Sequence, residues 1–208
     1  MGLMDQTSLV ADLKKMLKSS AEKFELDDSE FIRHLDFALG DVSRVRPYRL
    51  IGAITLIPEQ GEYPAPVDLI KLDFPLWGNA ERRIRKPWNT NYPGLAPTVT
   101  VFGSGATKMI SISPPPTAAQ IISLGDQYKF YYSALHTIGA TAEETTVDAA
   151  DRDLLLIRAL AQAMNELAAR GVTQPIKLGG SGVGAMPKNG TPAALAEGLI
   201  KLFEGMAS

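Results

Sequence analysis

The sequence predicts an α+β fold: a small helical bundle carrying an inserted antiparallel β domain. Two changes of period carry that expectation. Apolar residues recur at helical spacing up to Pro47, run as strands do from Tyr48 to Leu135, and return to helical spacing at Asp148. Helices and strands therefore fall in separate runs, without the alternation of a doubly wound parallel sheet. The bundle is expected from residues 1–47 with 146–208, and the β insertion from 48–145.

Leu9, Leu13, Met16 and Leu17 share one face of a first helix near residues 5–18. A second, near 28–45, repeats the pattern with Phe31, Ile32, Leu35, Ala38, Leu39, Val42 and Val45. Asp27, Asp28 or Ser29 caps its start, and Pro47 bars its continuation. Gly40 lies inside it at ~1 kcal/mol relative to alanine. Polar Ser19 to Lys23 separates the two helices, as in an antiparallel pair.

YRLIGAITLIP, Tyr48 to Pro58, is β-branched and apolar and reads as a strand. EQGEYPAPVD reads as a turn, and Val67 to Trp77 as an extended segment broken by Pro75. Residues 78–97 form a long excursion. TVTVF and TKMISIS flank GSGA, a hairpin turn. Pro114 to Pro116 then stop the strand, because proline lacks the amide donor of a further ladder rung. They are expected to blunt an edge that could otherwise pair with another chain. QYKFYYSAL, Gln127 to Leu135, puts Tyr128, Phe130 and Tyr132 on one face, expected as core.

A third helix is expected near 148–170, with Leu156, Leu160, Ala163, Met164 and Leu167 on one side. Asp148, Asp151 and Asp153 suit the positive end of its dipole, and Gly171 suits the position just past its end. GGSGVGAMPKNG, Gly179 to Gly190, holds five glycines in twelve residues and reads as a linker. In the last helix, near 191–205, Thr191 caps, Pro192 takes the first turn, and Leu195, Leu199, Leu202 and Phe203 make an apolar stripe.

The 208 residues carry a net charge of −2 and no cysteine. Disulfides, thiolate metal sites and a cysteine nucleophile are excluded, and broad unspecific nucleic-acid binding is disfavoured. No signal peptide is expected, and no run approaches the ~18 apolar residues of a membrane helix.

Candidate chemistry is sparse. Gly180, Gly182 and Gly184 suggest a phosphate cradle, but no strand immediately precedes them and no lysine–serine pair follows. Ser181 has a glycine two residues before it but Val183 two residues after, so a nucleophile elbow is incomplete. His34 and His136 are the two histidines. The first is expected as a solvated or edge residue, the second as a local hydrogen-bonder, and their spacing suits no metal. Asp151 with Asp153, and Glu143 with Glu144, read as helix-start and loop charges. No cofactor is expected. ERRIRKPW, Glu81 to Trp88, is the basic cluster; Arg82, Arg83, Arg85 and Lys86 are expected to dock on an acidic protein partner, with a solvated loop and phosphate binding as the alternatives.

Three stretches resemble the head–tail connector adaptor proteins of tailed bacteriophages. One is RVRPYRLIGAITLIPEQGEYPAPVDLIKL after the two-helix start. Another is ISISPPPTAAQ followed by QYKFYYSALHTI, and the third is TTVDAADRDLLLIRALAQAMNEL. The resemblance covers most of residues 5–170. It implies a non-enzymatic virion structural protein: a homo-oligomeric ring of about twelve copies beneath the portal protein, joining the DNA-filled head to a tail or neck protein. It places the protein in the virion neck, and in the host cytoplasm during assembly. DNA would pass through the lumen without specific binding, and no membrane would be involved. In that setting Leu195, Leu199, Leu202 and Phe203 are expected to dock on a neighbouring subunit or the portal, with the glycine linker giving a reach of roughly 20 Å. A fold-back onto the chain's own bundle is the alternative. Other expectations are a neck stopper, a tail terminator or, in a different class, a small serine hydrolase using Ser181.

Overall fold

The computed structural model describes residues 3–24, 27–90, 92–172, 178–179 and 190–207. The fold is α+β. In chain order the elements are α1 (Gln6–Leu17), α2 (Ser29–Val45), β1 (Tyr48–Thr55), β2 (Glu62–Pro64), β3 (Leu69–Pro75) and α3 (Asn79–Ile84). They continue with β4 (Thr98–Phe102), β5 (Met109–Ser113), α4 (Ala118–Leu124), β6 (Gln127–Ala134), α5 (Arg152–Ala169) and α6 (Pro192–Ala207). Two compact units divide the chain: Met1–Tyr48 with Leu135–Ser208, and Arg49–Ala134.

The first unit is helical. Asp5 caps α1 by accepting hydrogen bonds from the Ser8 amide at 2.9 Å and the Ser8 hydroxyl at 2.7 Å, satisfying an amide that the first turn leaves without a partner. Helix α5 buries Leu154, Leu155, Leu156, Ile157, Leu160 and Met164 among others, on more than one face. Helices α1, α2 and α6 all pack against it. The core of this unit joins Leu9, Leu13 and Leu17 of α1, Phe31, Leu35 and Val42 of α2, and Leu195, Leu199 and Phe203 of α6.

The second unit holds two three-stranded sheets, ordered β1-β6-β3 and β2-β5-β4. Strand β6 pairs antiparallel with β3, Leu72 facing Tyr132 and Phe74 facing Tyr131, with two register irregularities. Tyr128, Phe130 and Tyr132 are buried, as their alternation predicts. Gly52 lies against the Phe130 ring so closely that an added Cβ would sit 2.5 Å from it. That close approach explains a glycine in mid-strand. Tyr63, on short β2, accepts from the Ile57 amide at 3.0 Å and donates to the Gln60 carbonyl at 3.0 Å, fastening the turn after β1.

Strand β5 is not an edge. It lies between β2 and β4, with Glu62 opposite Ser111 on one side and Thr100 opposite Ser111 on the other. The prolines therefore guard no free ladder. They lead instead into α4, which Thr117 starts with a capping box: its hydroxyl takes the Gln120 amide at 3.3 Å and Gln120 returns to the Thr117 amide at 3.0 Å.

The apolar stripe of α6 meets its own unit. Leu195, Leu199 and Phe203 are buried in the core, and Leu202 is partly buried against it. This corrects the expectation that the four present a docking surface, because α6 covers a side of α5 that would otherwise face water. Leu199→Ala is expected to lower unfolding free energy in urea by about 2–5 kcal/mol. A change below about 0.5 kcal/mol would mean that Leu199 lies outside the core.

Candidate interaction surface

The basic cluster is built on two turns of chain with different duties. Gly78 takes a left-handed conformation (φ 67°) at the start of α3, where a Cβ would strike Leu124 and the Arg82 guanidinium. From α3, Arg82 reaches back: Nη1 donates to the Trp77 carbonyl at 2.7 Å, Nε donates to the Gly94 carbonyl at 3.0 Å, and the guanidinium stacks 5.6 Å from the Trp77 ring. Trp77 itself donates to the Gly125 carbonyl at 2.9 Å. Arg85 donates to the Ser123 hydroxyl of α4 at 3.0 Å, and Gln120 of α4 donates to the Pro93 carbonyl at 3.1 Å. The excursion is thus riveted at both ends to α4 and to the β6 end of the sheet. Arg82 and Arg85 serve that frame, while Arg83 and Lys86 are exposed.

Apolar side chains stand out on the same frame. Ile84 is 79 % exposed, Trp88 81 %, Leu95 84 % and Ile122 of α4 87 %. Between the excursion and α4 runs a groove of about 590 Å³, lined by Arg85, Tyr92, Gly94, Gln120 and Ser123 among others. A second exposed apolar set lies on β1, β3 and β6, where Ile51, Phe74 and Tyr131 line a shallow groove with Arg49 and Asp73.

Tyr128 lies beneath this region. Burial pushes its phenol up to about 12, partly offset by Arg82, so the hydroxyl stays neutral.

The histidines part company. His34 is buried, against the expectation of a solvated residue. It lies one turn from Phe31 and from Ala38, on the face of α2 that packs into the core, and its ring meets Phe24 edge-on at 5.4 Å. Its Nε2 lies 3.5 Å from Glu166 of α5. Arg33 grips both Glu166 oxygens at 2.9 and 2.8 Å, and Arg170 bridges Glu166 and Glu30. Burial drives the His34 pKa below 6.5, although Glu166 pulls the other way. Burial acts to raise Glu166, but hydrogen bonds from Arg33 and Arg170 outweigh it and hold that carboxyl below 4.5. The cluster is a helix-to-helix tie.

His136 bonds to Thr146, ten residues on, as a local hydrogen-bonder would, but it also reaches Arg46 and Ser43 at the end of α2, far off in sequence. Its Nε2 is 2.7 Å from the Arg46 carbonyl and its Nδ1 3.0 Å from the Thr146 hydroxyl. A carbonyl only accepts, so Nε2 carries the proton, and in the neutral ring Nδ1 accepts from Thr146. Its amide donates to Ser43 at 2.9 Å.

Asp148 caps the short 3-10 turn Ala149–Asp151 by accepting from the Ala150 amide at 2.8 Å. Asp153 stands exposed in the first turn of α5. Glu143 is exposed, and Glu144 accepts from the Thr141 amide at 3.3 Å. Neither pair shows the contrasting surroundings that acid–base work uses. Ser181 and the glycines Gly180, Gly182 and Gly184 lie outside the described residues. Among the described residues no group of histidines and carboxylates is placed to hold a metal ion.

No family model matches the chain, and no curated protein matches it significantly. Among solved structures it is similar to a chain of the neck of an empty gene transfer agent (GTA) particle computed with C6 symmetry. The identity is 15 %, covering 91 % of this chain and 87 % of that one, with a TM-score of 0.28. It is similar at 14 % identity to a chain of the neck of a native GTA particle computed with C12 symmetry, covering 91 % and 86 %, again with a TM-score of 0.28.

A histidine kept neutral by burial has a consequence for pH. Below 6.5 the unfolded chain binds a proton that folded His34 resists, so stability falls as pH falls through that value. Between about pH 7 and pH 5, His34→Gln is expected to flatten the decline measured by urea unfolding. An unchanged slope would show that His34 titrates as it does in the unfolded chain.

Proposed function

We propose that this chain is a virion structural protein, a head-to-tail adaptor that forms a ring beneath the portal of a tailed, phage-like particle. It links the DNA-filled head to a tail or neck protein, and the DNA passes through the ring. Its place is the virion neck, reached from the host cytoplasm during assembly.

The observation that carries this reading is the way in which the three stretches resembling adaptor proteins fold. The first becomes β1, the Tyr63-fastened turn with β2, and β3. The second becomes β5, the proline corner, α4 and the buried aromatic strand β6. The third becomes the Asp148-capped entry into α5. Each stretch is therefore a folded structural unit, and the side chains most suggestive of chemistry in them serve packing. His136 fastens the end of α2, and Asp148 caps a turn.

Purified particles from cells expressing the chain are expected to contain it, and imaging of the portal vertex is expected to show it as a ring. Particles that lack the chain yet remain complete would remove this function. The hydrolase alternative makes the opposite demand of Ser181. Ser181→Ala is expected to leave the infectivity of assembled particles unchanged, and loss of infectivity with normal assembly would favour the hydrolase.

A further inference from the structure

We propose that the surface made by the excursion and α4 docks on a second copy of this chain, against its acidic segment 140–153, so that copies join head to tail. The proposal rests on the ring reading for its biological setting; its physical grounds are separate.

The surface is a fixed one. The Arg82–Gly94 bond closes the excursion on itself, and the bonds from Arg85 to Ser123 and from Gln120 to Pro93 hold it on α4. Ile84, Trp88, Leu95 and Ile122 are therefore held out in water by a braced frame, each about four-fifths exposed. Large exposed apolar side chains interspersed with exposed charge, here Arg83 and Lys86, are the composition of a protein-docking surface.

Charge selects the partner. Residues 78–97 contain four cations and one carboxylate, whereas the rest of the chain contains seventeen cations and twenty-two carboxylates. Two stretches are rich in acid: 25–30, whose Asp28 and Glu30 already pair with Lys14 and Arg170, and 140–153, with Glu143, Glu144, Asp148, Asp151 and Asp153 against Arg152 alone. Arg152 is itself occupied, its Nη2 lying 2.7 Å from Asp12. Each copy thus carries both halves of a complementary pair on different segments. Such a contact is heterologous, and heterologous contacts close into rings when the rotation allows.

A nucleic acid fits this surface less well. Arg82 and Arg85 are tied to their own chain, which leaves Arg83 and Lys86 as the exposed cations. Two phosphate contacts give little affinity at physiological salt, and of the four exposed apolar side chains Trp88 alone offers an aromatic face on which a base could stack, while Ile84, Leu95 and Ile122 call for hydrocarbon.

The test uses charge reversal in the full chain. R83E/K86E and E143K/D153K change exposed residues, and circular dichroism checks that both fold. By light scattering the unaltered chain is expected to self-associate, and each double variant alone to associate roughly tenfold or more weakly. An equimolar mixture of the two is expected to recover association, because each reversed face then meets its complement. I122S, which removes an apolar contact without touching charge, is expected to weaken association as well. Association of either charge variant at the unaltered strength, or a mixture that fails to recover, overturns the proposal. So does an unaltered chain that stays monomeric, or duplex DNA binding lost in R83E/K86E while association persists. Association indifferent to both charge variants removes this interface and leaves the ring reading standing. Absence of the chain from purified particles removes the ring reading whatever the surfaces do.

Discussion

Helix α5 carries buried leucines, isoleucine, alanines and methionine on more than one face, and such a helix is unstable in water until other elements cover it. Three do so: α1, α2 and α6. The polar positions of α5 are fastened at the margins of that packing. Arg152 pairs with Asp12 of α1 and Arg158 with Asp41 of α2, both at 2.7 Å, and Arg158 also lies over the Phe37 ring at 4.8 Å. Near its other end Glu166 takes Arg33 and Arg170. The side chains of Arg152 and Arg158 are only 12 % and 11 % exposed, so removing either partner would strand a charge in a poorly solvated place. Apolar burial thus supplies the attraction, and the ion pairs select how the helices are set against one another.

The β unit is organised by a different constraint, the width of an aromatic row. Trp77, Tyr128, Phe130 and Tyr132 follow one another with ring centroids 5.8–6.0 Å apart. Strand β1 can lie beside β6 only if it offers no side chain where Phe130 stands, and Gly52 is that concession. The second sheet owes its three-residue strand β2 to pairing with β5. Its place was invisible locally, since EYP reads as part of a turn until a partner strand lies alongside.

Much of the fold was legible because helical periodicity is a local property. The stretches 5–18 and 28–45 became Gln6–Leu17 and Ser29–Val45, and the edges of α5 and α6 moved by a few residues at most. What periodicity does not name is the surface that receives an apolar face. The stripe of α6 was plain in the sequence; its partner α5 was not, and a docking role was inferred where core packing occurs. His34 was misjudged for the opposite reason. Its place in mid-helix beside Arg33 suggests water, but its spacing from Phe31 and Ala38 already puts it on the buried face. Helix α4 carried a readable start, Thr117 with Gln120 three residues on, masked by the prolines just before it. Helix α3 has six residues and depends on Gly78 and Arg82 to hold it, which no short propensity window conveys.

The basic cluster shows why composition alone misleads about surfaces. Arg82 and Arg83 are adjacent and chemically identical, yet one is stacked on Trp77 with two carbonyls in reach and the other is exposed. Rotation by about 100° per residue along a helix separates them. Arg82 turns toward the aromatic row, where the half-buried guanidinium keeps the excursion in place; Arg83 turns away from it. The same division holds between Arg85, bonded to Ser123, and exposed Lys86. Half of the cluster's charge is therefore structural, and the half left for a partner stands beside Ile84 and Trp88. A surface of two cations among large apolar side chains favours a partner that can both bury hydrocarbon and present carboxylates, and a folded protein surface meets both requirements better than a phosphate backbone does.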